Sequence, residues 1–459
     1  MIHAVKAYIA SQELIGRGNQ VIAAVSGGPD SMALLHILME LRPVLGFHLV
    51  AAHVNHGLRP EAALEQQFVE EQCQSWGITC YAKSIDVSGL ARQAKTSLED
   101  AGRQARYGFF YELLQILQAD VVATAHHQDD QAETVLLHLL RGAGMPGLRG
   151  ILPRNGRLVR PLLSHSKHDL LAYLQDNQIA YCIDESNQDE SFLRNRIRHQ
   201  LIPLLQAEYN PQITENLSRL AEIIRAENDF LQQIVQGYWQ KLLCAQDNVS
   251  VEMDAEGIKT LPLAVQRRLT MMALSSVGGS QGWESRDVEK VMALLHKPGS
   301  AKILQLKKGI IINKSYDRIV FTSQWQETGS FCIEVGIPGQ VVLPNGNRYH
   351  FALQTSAGFK AAPGDICLDY DKLSLPLVLR SRRPGDMIVL TGSAGHKKLK
   401  KYLNEQRIPV RERNQIAILA SRGGEIYAMP GLYFCPTMAV NQQSKNILLI
   451  SAEEGGSPI

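Results

Sequence analysis

Residues 21–31, Val-Ile-Ala-Ala-Val-Ser-Gly-Gly-Pro-Asp-Ser, decide the fold. VIAAV at 21–25 is short, apolar and β-branched, and it stops at Gly27-Gly28, as a buried strand does. SMALLHILMEL at 31–41 then carries helical periodicity. The unit repeats outward. Strands fit HLVAAHV at 48–54 and DVVATAH at 120–126; helices fit 61–76, 97–118 and Asp129 to Leu140. Strands alternating with helices make a parallel sheet with helices on both faces. The expectation is an α/β protein opening on a doubly wound parallel sheet. Such sheets bind ligands outside the carboxyl ends of their strands. Three strand ends carry polar clusters, SGGPDS, HVNHGLR and AHHQDD, and all three should face one crevice.

Beyond Pro211 the texture changes. Residues 212–243 form a long amphipathic stretch, two more helices fit 262–277 and 284–296, and 302–321 alternates like a hairpin. From 330 the chain turns β-rich, with an Asn345-Gly346 turn between FCIEVGIPGQVVL and RYHFALQ. A basic helix fits 397–407. The expected organisation is a catalytic domain at 1–212, a mainly helical middle domain at 213–325 and a smaller α+β domain at 326–459, whose basic segment suits a polyanion.

Composition excludes several classes. The 459 residues are 45% hydrophobic and 20% charged, which supports packed cores and excludes wholesale disorder. No run approaches the ~20 apolar residues of a membrane span, and the N-terminus lacks signal-peptide features, so no membrane is expected. Seven cysteines are scattered without a C-x-x-C pair, against a disulfide framework, a zinc ribbon or a cysteine-held cluster and for a reducing cytoplasm. The net charge of +2 conceals segregation. Residues 141–160 hold five arginines and no acid; residues 380–413 hold ten Lys/Arg against Asp386, Glu405 and Glu412. Such patches hold polyanions.

Four motifs carry chemistry. In Ser26-Gly27-Gly28-Pro29-Asp30-Ser31, glycines bring backbone N–H groups close to phosphate oxygens, a helix N-terminus adds its dipole, and two hydroxyls add donors. It is neither G-x-x-x-x-G-K-[ST] nor G-x-G-x-x-G; no lysine follows the glycines. His53-Val54-Asn55-His56-Gly57-Leu58-Arg59 ends the second strand and gains weight only from sharing that edge. In Glu99–Tyr107, Arg103 and Arg106 lie on one helical face and suit a phosphate or carboxylate; alone they read as a solvated face. In His126–Glu133, His127, Asp130 and Glu133 can converge, and carboxylates hold Mg²⁺ or an ammonium, although Asp129 and Asp130 also cap a helix.

The loop resembles the S-G-G-x-D-S pyrophosphate loop of the ATP pyrophosphatase superfamily. With HVNHGLR, E-x-x-x-R-x-x-R-Y, AHHQDDQAET, RGAGMPGL at 141–148, DESNQD at 184–189, RNRIR at 194–198 with Pro203, and RRPGD at 382–386 with KKLK at 397–400, the order is similar to that of the tRNA(Ile)-lysidine synthetase family.

That resemblance implies ATP and Mg²⁺ as cofactors and, as partners, free L-lysine and an isoleucine tRNA with a CAU anticodon. Lysine would be joined to C2 of the wobble cytidine through an adenylated intermediate. It implies ATP binding by Ser26, Gly27, Gly28, Pro29, Asp30, Ser31, His56 and Arg103. Asp30 would be the metal ligand, and Asp30, Asp130, Glu133 and His127 the catalytic groups. Asp130 and Glu133 would hold an ammonium of lysine, and Arg103 or Arg106 its carboxylate. Arg194, Arg198, Lys397, Lys398 and Lys400 would meet the tRNA. A carboxylate or His127 would take the amine proton. A homodimer is compatible with the sequence, which leaves the oligomeric state open. The runner-up is a tRNA 2-thiocytidine synthetase, which needs cysteines at spacings this chain lacks. GMP or NAD synthetases leave the C-terminal basic domain unexplained, and a non-catalytic ATP-dependent RNA binder leaves the acidic cluster unexplained.

Overall fold

The computed structural model describes residues 1–55, 57, 62–182, 193–298, 301–324, 329–355, 361–362, 364–390, 395–408 and 412–453. The chain forms two compact units, 1–231 and 232–459.

The first unit is built on strands β1 (Gln20–Val25), β2 (His48–Asn55), β3 (Thr79–Ser84), β4 (Val121–Ala123), β5 (Arg154–Asn155) and β6 (Leu158–Val159), in the order β3-β2-β1-β4-β6-β5. All neighbours are parallel except β5–β6. Helices α1 (Ile2–Ser11), α2 (Pro29–Leu45), α3 (Ala62–Ser75), α4 (Val87–Ala94), α5 (Leu98–Ile116), α6 (Gln128–Leu140), α7 (Met145–Leu148) and α8 (Lys167–Asp176) connect them. The period of two along β1 assigns alternate residues to opposite faces. Val21, Ala23 and Val25 pack with α1, α2, α3 and α8; Ile22 packs with Phe109, Phe110, Leu113 and Leu114 of α5. The sheet is therefore covered on both faces, as expected. From β1 the chain runs outward to β2 and β3, then returns to β4 on the other side. The reversal point lies between the carboxyl ends of β1 and β4, where open α/β sheets bind ligands.

The unit closes with α9 (Leu193–Arg196), a π-helical turn at Ile197–Leu201, α10 (Ile202–Glu208) and the start of α11 (Ile213–Leu242). Pro203 has no N–H to give the carbonyl four residues back, and the Ile202 N–H reaches Ile197 O, one residue further than in an α-helix.

In the second unit, helices Leu263–Gly278 and Ser285–His296 pack with a five-stranded antiparallel sheet. The hairpin read at 302–321 is its centre: 311–315 pairs with both 301–305 and 318–322, and 250–254 and 243–246 extend it. Two further antiparallel sheets follow, one of five strands ordered 332–334, 377–380, 418–421, 426–429, 433–434, the other of four ordered 339–342, 348–355, 446–453, 366–369. They share a core of Phe351, Leu368, Leu379, Leu419, Tyr427 and Leu448. Gly346 sits at φ +87°, so the expected turn depends on the residue that tolerates it. Within this second unit, the helices and first sheet have one core, and the two later sheets another.

The basic segment differs from the expected helix. Residues 396–398 pair with 387–389 as a hairpin, and the helix spans only Leu399–Glu405. It starts where Leu399 and Leu403, four apart, can both be buried. Lys397 and Lys398 thus lie on a strand, Lys400 and Lys401 on the helix. Among the described basic residues of 380–413, two are not surface at all: Arg380 is 1% exposed and bidentate to Asp386 (2.8 and 2.9 Å), and Arg413 is buried, donating to Ile408 O and Tyr316 Oη.

Candidate active site

β1 delivers Val25 to the sheet edge and the chain turns at Ser26-Gly27-Gly28. Gly27 has φ +89°, and a Cβ there would stand 3.3 Å from Val69, so both conformation and space call for glycine. Gly28 caps α2 and Pro29 takes its first turn, where a missing N–H costs nothing. The hydroxyls shape the loop: Ser31 Oγ accepts from Ser26 N–H at 3.1 Å and donates to Gly28 O at 2.9 Å, and Ser26 Oγ lies 3.1 Å from Ser31 Oγ. The next strand end is tied in by His53, buried, with Nδ1 3.0 Å from Val25 O.

Asp30, in the first turn of α2, faces two cations. Its Oδ1 accepts from Lys167 Nζ at 2.5 Å and its Oδ2 lies 3.6 Å from His127 Nε2. Burial pushes the carboxyl up, but His127 and Lys167 outweigh it and hold it below its ordinary range. His127, the N-cap of α6, is ringed by acids: Nδ1 is 3.4 Å from Asp129, and Nε2 3.5 Å from Asp130. Burial alone would push this imidazole down; Asp129, Asp30 and Asp130 together raise it to about 10. The three carboxylates thus favour the charged imidazole at neutral pH. Neighbouring His126 goes the other way, pushed down to about 4 chiefly by burial, and stays neutral.

Behind them lies a second cluster. Asp130 and Glu133, three apart on α6, are buried, and Glu133 is only 1% exposed. Arg194 donates to Asp130 (3.0 Å) and Glu133 (2.9 Å); Arg198 donates to Asp130 (3.2 Å) and to both Glu133 oxygens (2.5 and 3.0 Å). The π-helical turn carries Arg198, four residues after Arg194, to the same carboxylates. The structure therefore brings Asp30, His127, Asp130, Glu133, Arg194 and Arg198 together and pairs the two arginines with acids.

Other expected residues stand apart. Arg103 and Arg106 are exposed on α5; Arg103 lies over the Tyr107 ring at 5.5 Å, and among the described residues no hydrogen bond or ion pair joins either to the loop or to the carboxylates. His56, Arg59 and the 184–189 motif lie outside the described residues. Sequence reading passed over Lys167. A signal existed: it occupies the first position of a helix whose Ser166/Asp169 capping box is legible, an end that favours acids over cations.

A strand–SGGPDS–helix unit at the reversal point of a parallel sheet defines a PP-loop domain, the ATP-using class, and the PP-loop domain model matches residues 3–205. The model of the TilS substrate C-terminal domain matches 377–450. The chain is 34% identical to the tRNA(Ile)-lysidine synthase of Geobacillus kaustophilus (strain HTA426), covering 98% of each chain, and 31% identical to that of Bacillus subtilis (strain 168), covering 93% of each. It belongs to the tRNA(Ile)-lysidine synthase family. Among the described residues no helix is long and apolar enough to cross a membrane.

Proposed function

We propose that this chain ligates free lysine to C2 of the wobble cytidine in the CAU anticodon of an isoleucine tRNA, in the cytoplasm. The C2 carbonyl oxygen attacks the α-phosphorus of ATP, the α–β bridging bond breaks, and pyrophosphate leaves with the electron pair. The lysine ε-amine then bonds to C2, loses a proton, and AMP departs with the oxygen. Codon reading moves from AUG to AUA. The observation that carries this reading is the joining of two clusters through His127 at one sheet edge. A phosphate loop lies on one side and paired carboxylates and guanidiniums on the other.

Preorganised loop donors suit charge growing on the leaving pyrophosphate. Mg²⁺ needs few protein ligands because substrate phosphates complete its shell, and Asp30, part-exposed beside the loop, fits as that carboxylate. Bound there, the ion would neutralise phosphate charge. Lysine brings ammonium and carboxylate groups together. Its ammonium suits Asp130 and Glu133 and its carboxylate suits Arg194 or Arg198, so a zwitterion can split these ion pairs without changing their net charge. Arg103 and Arg106 remain free to meet ATP or RNA phosphates. With His127 charged, a carboxylate of this pair takes the amine proton. Exposed Lys398 and Lys400, with Lys397, supply phosphate contacts. Unmodified CAU-anticodon tRNA incubated with ATP, Mg²⁺ and lysine should gain the mass of one lysine less one water. An unchanged mass with active, folded protein contradicts the reading.

A further inference from the structure

We propose that Lys167 is the phosphate-binding cation of this site, its ammonium donating to the β- and γ-phosphate oxygens of ATP and to pyrophosphate as it leaves. The proposal rests on the ATP-cleaving reading above. Loops of the G-x-x-x-x-G-K-[ST] type carry such a lysine within the motif. This loop has none, and the fold brings one to it from 137 residues further on.

Four observations converge. The Lys167 ammonium reaches Asp30 Oδ1 at 2.5 Å, which occupies one of its three N–H donors, and the side chain is still 35% exposed. Its main chain is fixed: Lys167 N–H donates to Asp129 Oδ2 at 2.8 Å, and the adjoining His165 O accepts from Gln128 N–H at 2.8 Å. Three helix N-termini meet here, those of α2, α6 and α8, capped by Gly28, His127 and Ser166 and linked through Asp30. Converging N-termini favour an anion, and a lysine in a first turn opposes its own helix dipole unless an anion comes to it.

The competing account makes Lys167 a strut between α8 and α2. That strut is redundant. Leu170, Tyr173 and Leu174 already bury α8 in the core shared with α2, and Tyr173 Oη lies 2.8 Å from His36 Nδ1 on α2. In the reaction, the α–β bridging bond breaks and its electron pair moves onto the β-phosphate oxygen. Lys167 meets that growing charge, a contact stronger in the transition state than in the ground state.

The test uses the full chain with Lys167→Met and Lys167→Arg, with inorganic pyrophosphate and ATP as probes. Calorimetric titration of pyrophosphate should show affinity about tenfold or more weaker in Lys167→Met. The single-turnover rate of tRNA-dependent pyrophosphate release at saturating ATP should fall by at least that factor. Lys167→Arg should recover most of both, and the melting temperatures should stay close. Unchanged pyrophosphate affinity and rate with a lowered melting temperature would overturn the proposal in favour of the strut. If Lys167→Met does not fold, Lys167→Gln decides: it too removes the charge, so a folded Lys167→Gln with wild-type pyrophosphate affinity would overturn the proposal. Wild-type protein that binds neither ATP nor pyrophosphate would sink the ATP-cleaving reading itself, a result distinct from the failure of Lys167 alone.

Discussion

The carboxyl edge of the N-terminal sheet and the basic segment of the second unit both concentrate charge, and they handle it oppositely. At the sheet edge four carboxylates, Asp30, Asp129, Asp130 and Glu133, stand against four cations, Lys167, His127, Arg194 and Arg198, interlocked at 2.5–3.6 Å. At 396–407, Lys398, Lys400, Lys401 and Arg407 are exposed, and Lys397 pairs with Glu405. Buried charge requires partners and fixed geometry, which is what reacting groups need. Exposed like charge makes a field, which is what a polyanion needs. In one region the charges cancel in pairs; in the other they do not.

The largest effect that would break this contrast is at Asp30. Asp30→Ala should cut pyrophosphate release by about 10²–10³-fold, with circular dichroism and the salt dependence of tRNA binding unchanged. A folded variant with normal release would remove Asp30 from the chemistry. Glu133→Gln comes next. It leaves two guanidiniums with one carboxylate, so KM for lysine should rise about tenfold or more while KM for ATP stays. Stability should also fall by roughly 1–3 kcal/mol, because a buried ionic partner is lost. A rise in KM for ATP alone would place Glu133 on the nucleotide side.

Changing Lys397, Lys398, Lys400 and Lys401 together to Gln should weaken tRNA binding and flatten its salt slope by about 0.7–0.9 per lost contact, with ATP and lysine binding unmoved. Lys397→Gln alone should do less than Lys400→Gln, since Glu405 already offsets Lys397. Equal effects would mean that pairing on this surface is inconsequential.

The smallest effect concerns pH. His127 stands above its ordinary 6.5, so its contribution to stability is fully present below about 6.5 and is lost as pH rises through about 10. Asp30, Asp129 and Asp130 stand below their ordinary 3.8, so theirs is present above that value and lost as pH falls below it. Melting temperature should therefore decline on the alkaline side in wild type and decline less in His127→Gln. Parallel curves would mean that His127 does not carry the charge assigned to it.

The sheet and its crevice were legible because local signals sufficed. β-Branched runs stop at polar clusters, and parallel pairing puts consecutive strand ends on one edge. What stayed hidden depended on long-range pairing. Nothing near Arg194 or Arg198 in sequence announces Asp130 and Glu133, over 60 residues away. A run of arginines reads as RNA-facing surface until the fold supplies acids. Arg380 misled in the same way, since its partner Asp386 was counted as an opposing surface charge. Strands 243–246 and 250–254 were missed because they are short and the first is largely exposed. Lys167 was hidden because the phosphate loop it serves is on another element.

If the crevice carries the chemistry, the basic surface should carry only affinity. The most direct test is the single-turnover rate of pyrophosphate release by the four-lysine variant, measured at tRNA concentrations raised until the rate saturates. The plateau should equal that of wild type and be reached at higher tRNA concentration. A plateau that stays low at saturation would contradict it, because the basic surface would then be helping to form the reacting geometry itself.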